Sequence, residues 1–123
     1  MTYLDKAIDL QRLMGEGKMM DAFEKYYAEN VIVVEPTGEV REGKDAQRKA
    51  IQNWAGMVKE MHGGGVGAIT SNEAAGVTCV ESWVDVTFQD GNRLKMEEVA
   101  VQKWDGDQIV HERFYYNIPG EGS

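Results

Sequence analysis

Glu35 closes the β-branched run Val31-Ile32-Val33-Val34 and stands directly before Pro36. A carboxylate at a strand end, enclosed by apolar side chains, is raised toward neutrality by desolvation and suits a general base or acid. Glu81, Asp85 and Glu98 share apolar runs with Trp83 and Met96, and Glu112 stands in the final run. Two carboxylates close together in a dry site do not both ionise readily, so one holds a proton and can act as acid. Each residue also has a plainer reading. Glu35 can be a solvated turn residue before proline, and Glu98 and Glu112 can pair with Arg48 or Arg113. Glu81 and Asp85, nearer the ends of their run, read as rim or solvent residues.

Other chemistries find less support. His62, beside the glycines, reads either as a base at a pocket mouth or as a helix C-terminal histidine facing the dipole. His62 and His111 are far apart and match no metal-ligand spacing, so no metal and no cofactor is expected. Cys79 lacks a cationic neighbour that would make it a nucleophile. Gly63 to Gly67 has neither phosphate-loop nor dinucleotide spacing. Trp54, Met61, Trp83, Met96, Phe114 and Tyr116 read first as core. The chain's seven methionines adapt to irregular cavities, however, and would suit an apolar ligand site.

The elements that position these groups fit in one domain of 123 residues, long enough to bury its own core without disulfides or metal. The formal charge is −8 and the 13 basic residues are scattered, which disfavours nucleic acid and anionic membranes. Membrane-spanning and signal-peptide patterns are absent from the sequence. Together with the single cysteine, this leads us to expect a cytoplasmic protein.

Apolar periodicity predicts a helix over Tyr3 to Met14, a second from Met19 to Ala28 and a third from Lys44 to Met61, ended by Gly63-Gly64-Gly65. A short strand is predicted at Val31–Val34 and a loop from Thr37 to Gly43. Four strand-like runs follow: 66–73, 77–88, 92–104 and 109–117, the last leading into a frayed tail at 118–123. Helices followed by a strand meander indicate an α+β fold, with the helices on one face of an antiparallel sheet.

A two-residue turn at Asp90-Gly91 would pair Trp83 with Glu98 and Asp85 with Met96, placing Glu81, Trp83, Asp85, Met96 and Glu98 on one face. Val80, Val84, Val86, Val99 and Val101 would share the other. Such mixed faces fit either a polar-edged pocket backed by a partner subunit or an irregular exposed surface.

The layout resembles the nuclear transport factor 2-like superfamily, with its SnoaL-like polyketide cyclases and ketosteroid isomerase. The resemblance is carried by Tyr27-Ala28-Glu29-Asn30-Val31, Val34-Glu35-Pro36-Thr37-Gly38, Gly43, and a closing hairpin from Trp104 to Tyr116. It implies a cone-shaped curved sheet packed on three N-terminal helices. Glu35 falls where ketosteroid isomerase keeps its general base, but that enzyme's oxyanion-hole donors fall on Ala100 and near Leu10. The histidine and aspartate of the cyclases fall on Glu112 and Phe114. Neither reaction therefore transfers intact. The same alignment makes the Glu81-to-Glu98 face concave, adds Glu112, Phe114 and Tyr116 to it, and leaves the valine face convex for a homodimer.

The leading expectation is a cofactor-independent isomerase, dehydratase or cyclase for a small apolar organic substrate. Glu35, Glu98 and Glu112 would be catalytic, and Trp54, Met61, Trp83, Asp85, Met96, Phe114 and Tyr116 would line the pocket. The alternatives are a non-catalytic ligand-binding domain and a dimeric protein-interaction module.

Overall fold

The computed structural model describes residues 1–117, so the tail expected to fray at 118–123 lies outside the described residues. Helix α1 (Tyr3–Gly15) begins with a capping box in which Thr2 and Asp5 exchange side-chain and backbone hydrogen bonds. Helix α2 (Met19–Tyr26) is tied to α1 through Asp9, which accepts from Tyr26 Oη at 2.5 Å and from Arg12 and Lys25. Strands β1 (Tyr27–Val34) and β2 (Val40–Glu42) follow, then α3 (Lys44–Met57). The meander consists of β3 (Val58–Asn72), β4 (Val77–Phe88), β5 (Arg93–Asp105) and β6 (Gln108–Tyr116). The six strands form one curved, unclosed sheet in the order β2-β1-β6-β5-β4-β3, with β1 and β6 parallel and the other neighbours antiparallel.

Helices α1 and α2 pack on the inner face of this sheet. Ala7, Leu10, Ala22, Phe23 and Tyr26 meet Val31, Val33, Trp104 and Ile109 in the core. Among the described residues no helix is long and apolar enough to cross a membrane.

Three predicted features are corrected. The third helix ends at Met57 rather than Met61, and Gly63-Gly64-Gly65 lies inside β3. These glycines do not stop a helix; they make room for Trp83. A Cβ on Gly63 would lie 3.3 Å from the Trp83 ring, and one on Gly65 would lie 2.6 Å from its Nε1. Val58 therefore pairs with Phe88 as an edge strand, carrying Met61 and His62 out of the helix. The second helix also stops earlier, at Tyr26, because Tyr27 already pairs with Ile109 of β6. Within the predicted loop, Val40–Glu42 forms β2 against β1.

The β4–β5 register differs by one residue. Gly91, at φ +90°, donates its N–H to Phe88 O, and Phe88 N–H bonds Asn92 O at 2.8 Å. The connection is thus a three-residue loop with glycine in the left-handed position, not a two-residue turn. Glu98 consequently faces Ser82, Met96 faces Val84, and Trp83 faces Glu97. A one-residue slip exchanges the faces of a strand. Val80, Val84 and Val86 turn inward, while Glu81, Trp83 and Asp85 move to the outer face.

Candidate functional site

The β1–β2 connection repeats that turn design. Gly38, at φ +92°, donates to Glu35 O, and Glu35 N–H bonds Glu39 O at 2.9 Å. Arg41 then pairs opposite Val33 and shares its inner face, a diagonal step from Glu35. Its guanidinium reaches Glu35 Oε1 at 2.6 Å, engages Glu39, and donates through Nε to Gln47 Oε1 at 2.7 Å from the first turn of α3. The remaining Glu35 oxygen accepts from Tyr116 Oη at 2.6 Å. The Glu35 side chain is only 14% exposed, so the solvated-turn reading does not describe it.

On β5 and β6 the inner face pairs Glu98 with Tyr116, Ala100 with Phe114 and Gln102 with Glu112. Glu112 is fully buried and accepts from Tyr27 Oη at 2.5 Å and from Gln102 Nε2 at 2.8 Å. Burial raises the Glu112 carboxyl above its usual range, against the lowering effect of these two donors. Burial and the charge of Glu112 in turn raise Tyr27 well above the usual phenol value.

Glu98 differs from both. It is half-buried, and among the described residues no hydrogen bond or ion pair reaches its carboxyl. Burial, then the charges of Glu112 and Glu35, push it up from 4.5 to about 7. Tyr116, beside it, is also raised, first by burial and then by its bond to Glu35. Near neutral pH, Glu98 can therefore both accept and release a proton.

The structure thus brings Glu35, Glu98, Glu112, Phe114 and Tyr116 to the inner face. A depression of about 220 Å³ at its edge is bordered by Met96 and Tyr116. Trp54 is half-buried on α3. Met61 is 55% exposed on β3. Trp83 lies outside over the glycines under Lys95, and Asp85 is bound there by Arg93 at 3.0 Å. Neither belongs with the inner carboxylates. His62 Nε2 sits 2.7 Å from Thr87 Oγ1. Arg48 binds Glu24 and Asp45 rather than a site carboxylate.

Sequence reasoning missed Arg41, Gln47, Tyr27, Gln102 and Thr78. The last two carried a usable signal, because polar residues at even positions of β4 and β5 share the face of Glu98 once the turn is read correctly. Arg41 was legible only through the hairpin that its own loop conceals.

A family model described as SnoaL-like domain matches residues 1–116. A candidate SnoaL-like polyketide cyclase [carbohydrate phosphatase] from Mesorhizobium loti is 33% identical over 94% of this chain and 100% of its own, with a TM-score of 0.83. A candidate isomerase from Bacillus subtilis shares the fold at 20% identity, covering 95% of this chain and 90% of its own, TM-score 0.79. An NTF2-like protein of unknown function from Burkholderia pseudomallei does so at 14% identity over 95% and 92%, TM-score 0.79. No curated protein sequence matches. The family match over nearly all of the chain and the Mesorhizobium likeness lead to one conclusion: this protein belongs to the SnoaL-like domain family.

Proposed function

We propose that this protein is a cofactor-independent acid–base catalyst acting on a small, largely apolar organic molecule, by isomerisation, dehydration or cyclisation. The observation that carries the reading is Glu98: a half-buried carboxyl without a partner among the described residues, raised to about 7 directly across from Tyr116. Glu98 moves the proton. Glu35 is held by Arg41 and Tyr116 at the inner face, and Glu112 lies deeper as a second buried carboxyl. The polyketide-cyclase description of the Mesorhizobium protein is in keeping with such chemistry on a carbonyl compound. Its phosphatase wording fits less well, because all three guanidinium nitrogens of Arg41 already meet Glu35, Glu39 and Gln47.

The test is proton exchange. The protein is incubated in D2O with small cyclic enones, hydroxyketones and β-keto esters, and deuterium uptake beside the carbonyl is followed by NMR. We expect uptake or turnover for at least one compound, reduced by about 10²–10⁴-fold in Glu98→Gln. Binding without exchange for every compound would replace catalysis with simple ligand binding.

We also propose a homodimer through the outer face, and a cytoplasmic location for it. Ile32, Val99 and Tyr115 are 36%, 36% and 50% exposed there. Lys103 and Arg113 lie toward one end of this face, and toward the other Asp85 and Glu97 are already paired with Arg93 and Lys95. A two-fold contact between two copies would bury Ile32, Val99 and Tyr115 against their counterparts. Sedimentation equilibrium should give a dimer, and Tyr115→Glu a monomer; a monomeric native protein would remove this part of the reading.

A further inference from the structure

Behind the site runs a buried chain of side chains whose direction is fixed by its first member. The Trp104 indole can only donate, and its Nε1 lies 2.8 Å from Thr78 Oγ1. Thr78, fully buried, directs its own hydrogen to Gln102 Oε1 at 2.9 Å. Turning the Gln102 amide over would leave that hydroxyl hydrogen buried without an acceptor, which is strongly disfavoured. Gln102 must therefore present Nε2 to Glu112 Oε2, which is thereby committed to accepting. A proton taken up by Glu112 belongs on Oε1, where Tyr27 Oη, which donates to the ionised carboxylate from 2.5 Å away, turns to accept it.

We propose that Trp104, Thr78 and Gln102 are positioning residues that dedicate one oxygen of Glu112 to accepting and confine its proton to the side shared with Tyr27. The chain acts on the site electrostatically. With a proton of its own, beyond the one on the Tyr27 phenol, Glu112 is neutral and Glu98 ionises more easily; without it Glu112 is charged and Glu98 holds its proton more tightly. Glu98 and Glu112 thus titrate as a pair. Besides Tyr27 and Gln102, the charged groups acting on Glu112 are Glu35 at the end of β1 and Arg41 of β2, and Glu98 of β5 bears on Tyr27. The consequence for catalysis rests on the acid–base role proposed for Glu98, whereas the placement of the proton does not.

Thr78 touches neither Glu112 nor Glu98 through a hydrogen bond, so replacing it separates positioning from mere support. The test is a pH titration of the side-chain carboxyl carbons by NMR in full-length protein. In Thr78→Val the Gln102 amide is free to reverse and accept from Glu112. The Glu112 midpoint should then rise by about one unit while that of Glu98 falls. Thr78→Ser should restore both wild-type midpoints. If the valine variant does not fold, Thr78→Cys, a weaker donor, should move Glu112 the same way by a smaller step. Midpoints equal to wild type in the valine or cysteine variant would overturn the proposal. No ligand is needed, so failure of the exchange assay with Glu98 is distinguishable from failure here.

Discussion

Tyr116 Oη lies 2.6 Å from Glu35 Oε2, so the last residue of the sheet's final strand holds the carboxylate that follows its first. The parallel pairing of β1 and β6 makes this possible. Val33 sits beside Glu112 and Val34 beside Arg113, leaving Glu35 within reach of the Tyr116 side chain from β6. Arg41 reaches the other Glu35 oxygen from β2. Glu98 receives neither partner, and that difference separates its proton chemistry from that of Glu35.

The raised Glu98 has a consequence for stability. A carboxyl whose folded pKa exceeds its unfolded value stabilises the fold fully below the unfolded value, here 4.5, and that contribution is lost as pH rises through about 7. Discounting for its partial exposure, the loss is on the order of 2 kcal/mol. Urea unfolding of wild type and Glu98→Gln at pH 5 and pH 8 should show the variant gaining on wild type at pH 8. A difference that does not change with pH would contradict the raised value.

Arg41 stands between two carboxylates placed opposite one another in the β1–β2 hairpin, Glu35 and Glu39. Arg41→Met leaves Glu35 in a largely buried position without its cation, and should cost about 1–3 kcal/mol. Arg41→Lys should recover little, since one ammonium cannot reproduce a planar fork directed at Glu35, Glu39 and Gln47. Thermal melts of the two variants against wild type decide this. Full recovery by lysine would mean that charge alone matters.

The outer face of β3 supplies a packing test. A Cβ at Gly65 would stand 2.6 Å from Trp83 Nε1 and 3.1 Å from Cε2, so Gly65→Ala must displace the indole. We expect a loss of about 1–3 kcal/mol by denaturant unfolding. In a Trp83→Ala background the same change should cost much less, because the two sites share one contact. Additive losses would show that the ring does not occupy that space.

Much of this architecture was readable in advance. Helical stripes and long alternating runs led to three helices followed by a meander, and Asp105-Gly106-Asp107 marked the last hairpin. Glu35 stood out because a carboxylate ends a β-branched run. Two differences trace to glycines that do not act as punctuation, whereas the end of the second helix and β2 are set by pairing with other strands. Gly63 and Gly65 accept a neighbouring indole inside a strand, and Gly91 sits third in its loop, not second, which reverses one strand's faces. That single residue of register puts Trp83 and Asp85 on the outer face and Thr78 on the inner one. The contacts of Arg41 and Tyr27 depend on pairing between distant segments, which periodicity along one segment does not report.

The central claim is that Glu98 exchanges a proton near neutral pH. Its most direct test is the pH titration of carboxyl carbons by NMR, with the Glu98 resonance assigned by its absence in Glu98→Gln. We predict a midpoint near 7, well above the exposed glutamates of the same protein. A midpoint in the ordinary glutamate range would mean that Glu98 is ionised throughout the neutral range, and would contradict the acid–base account.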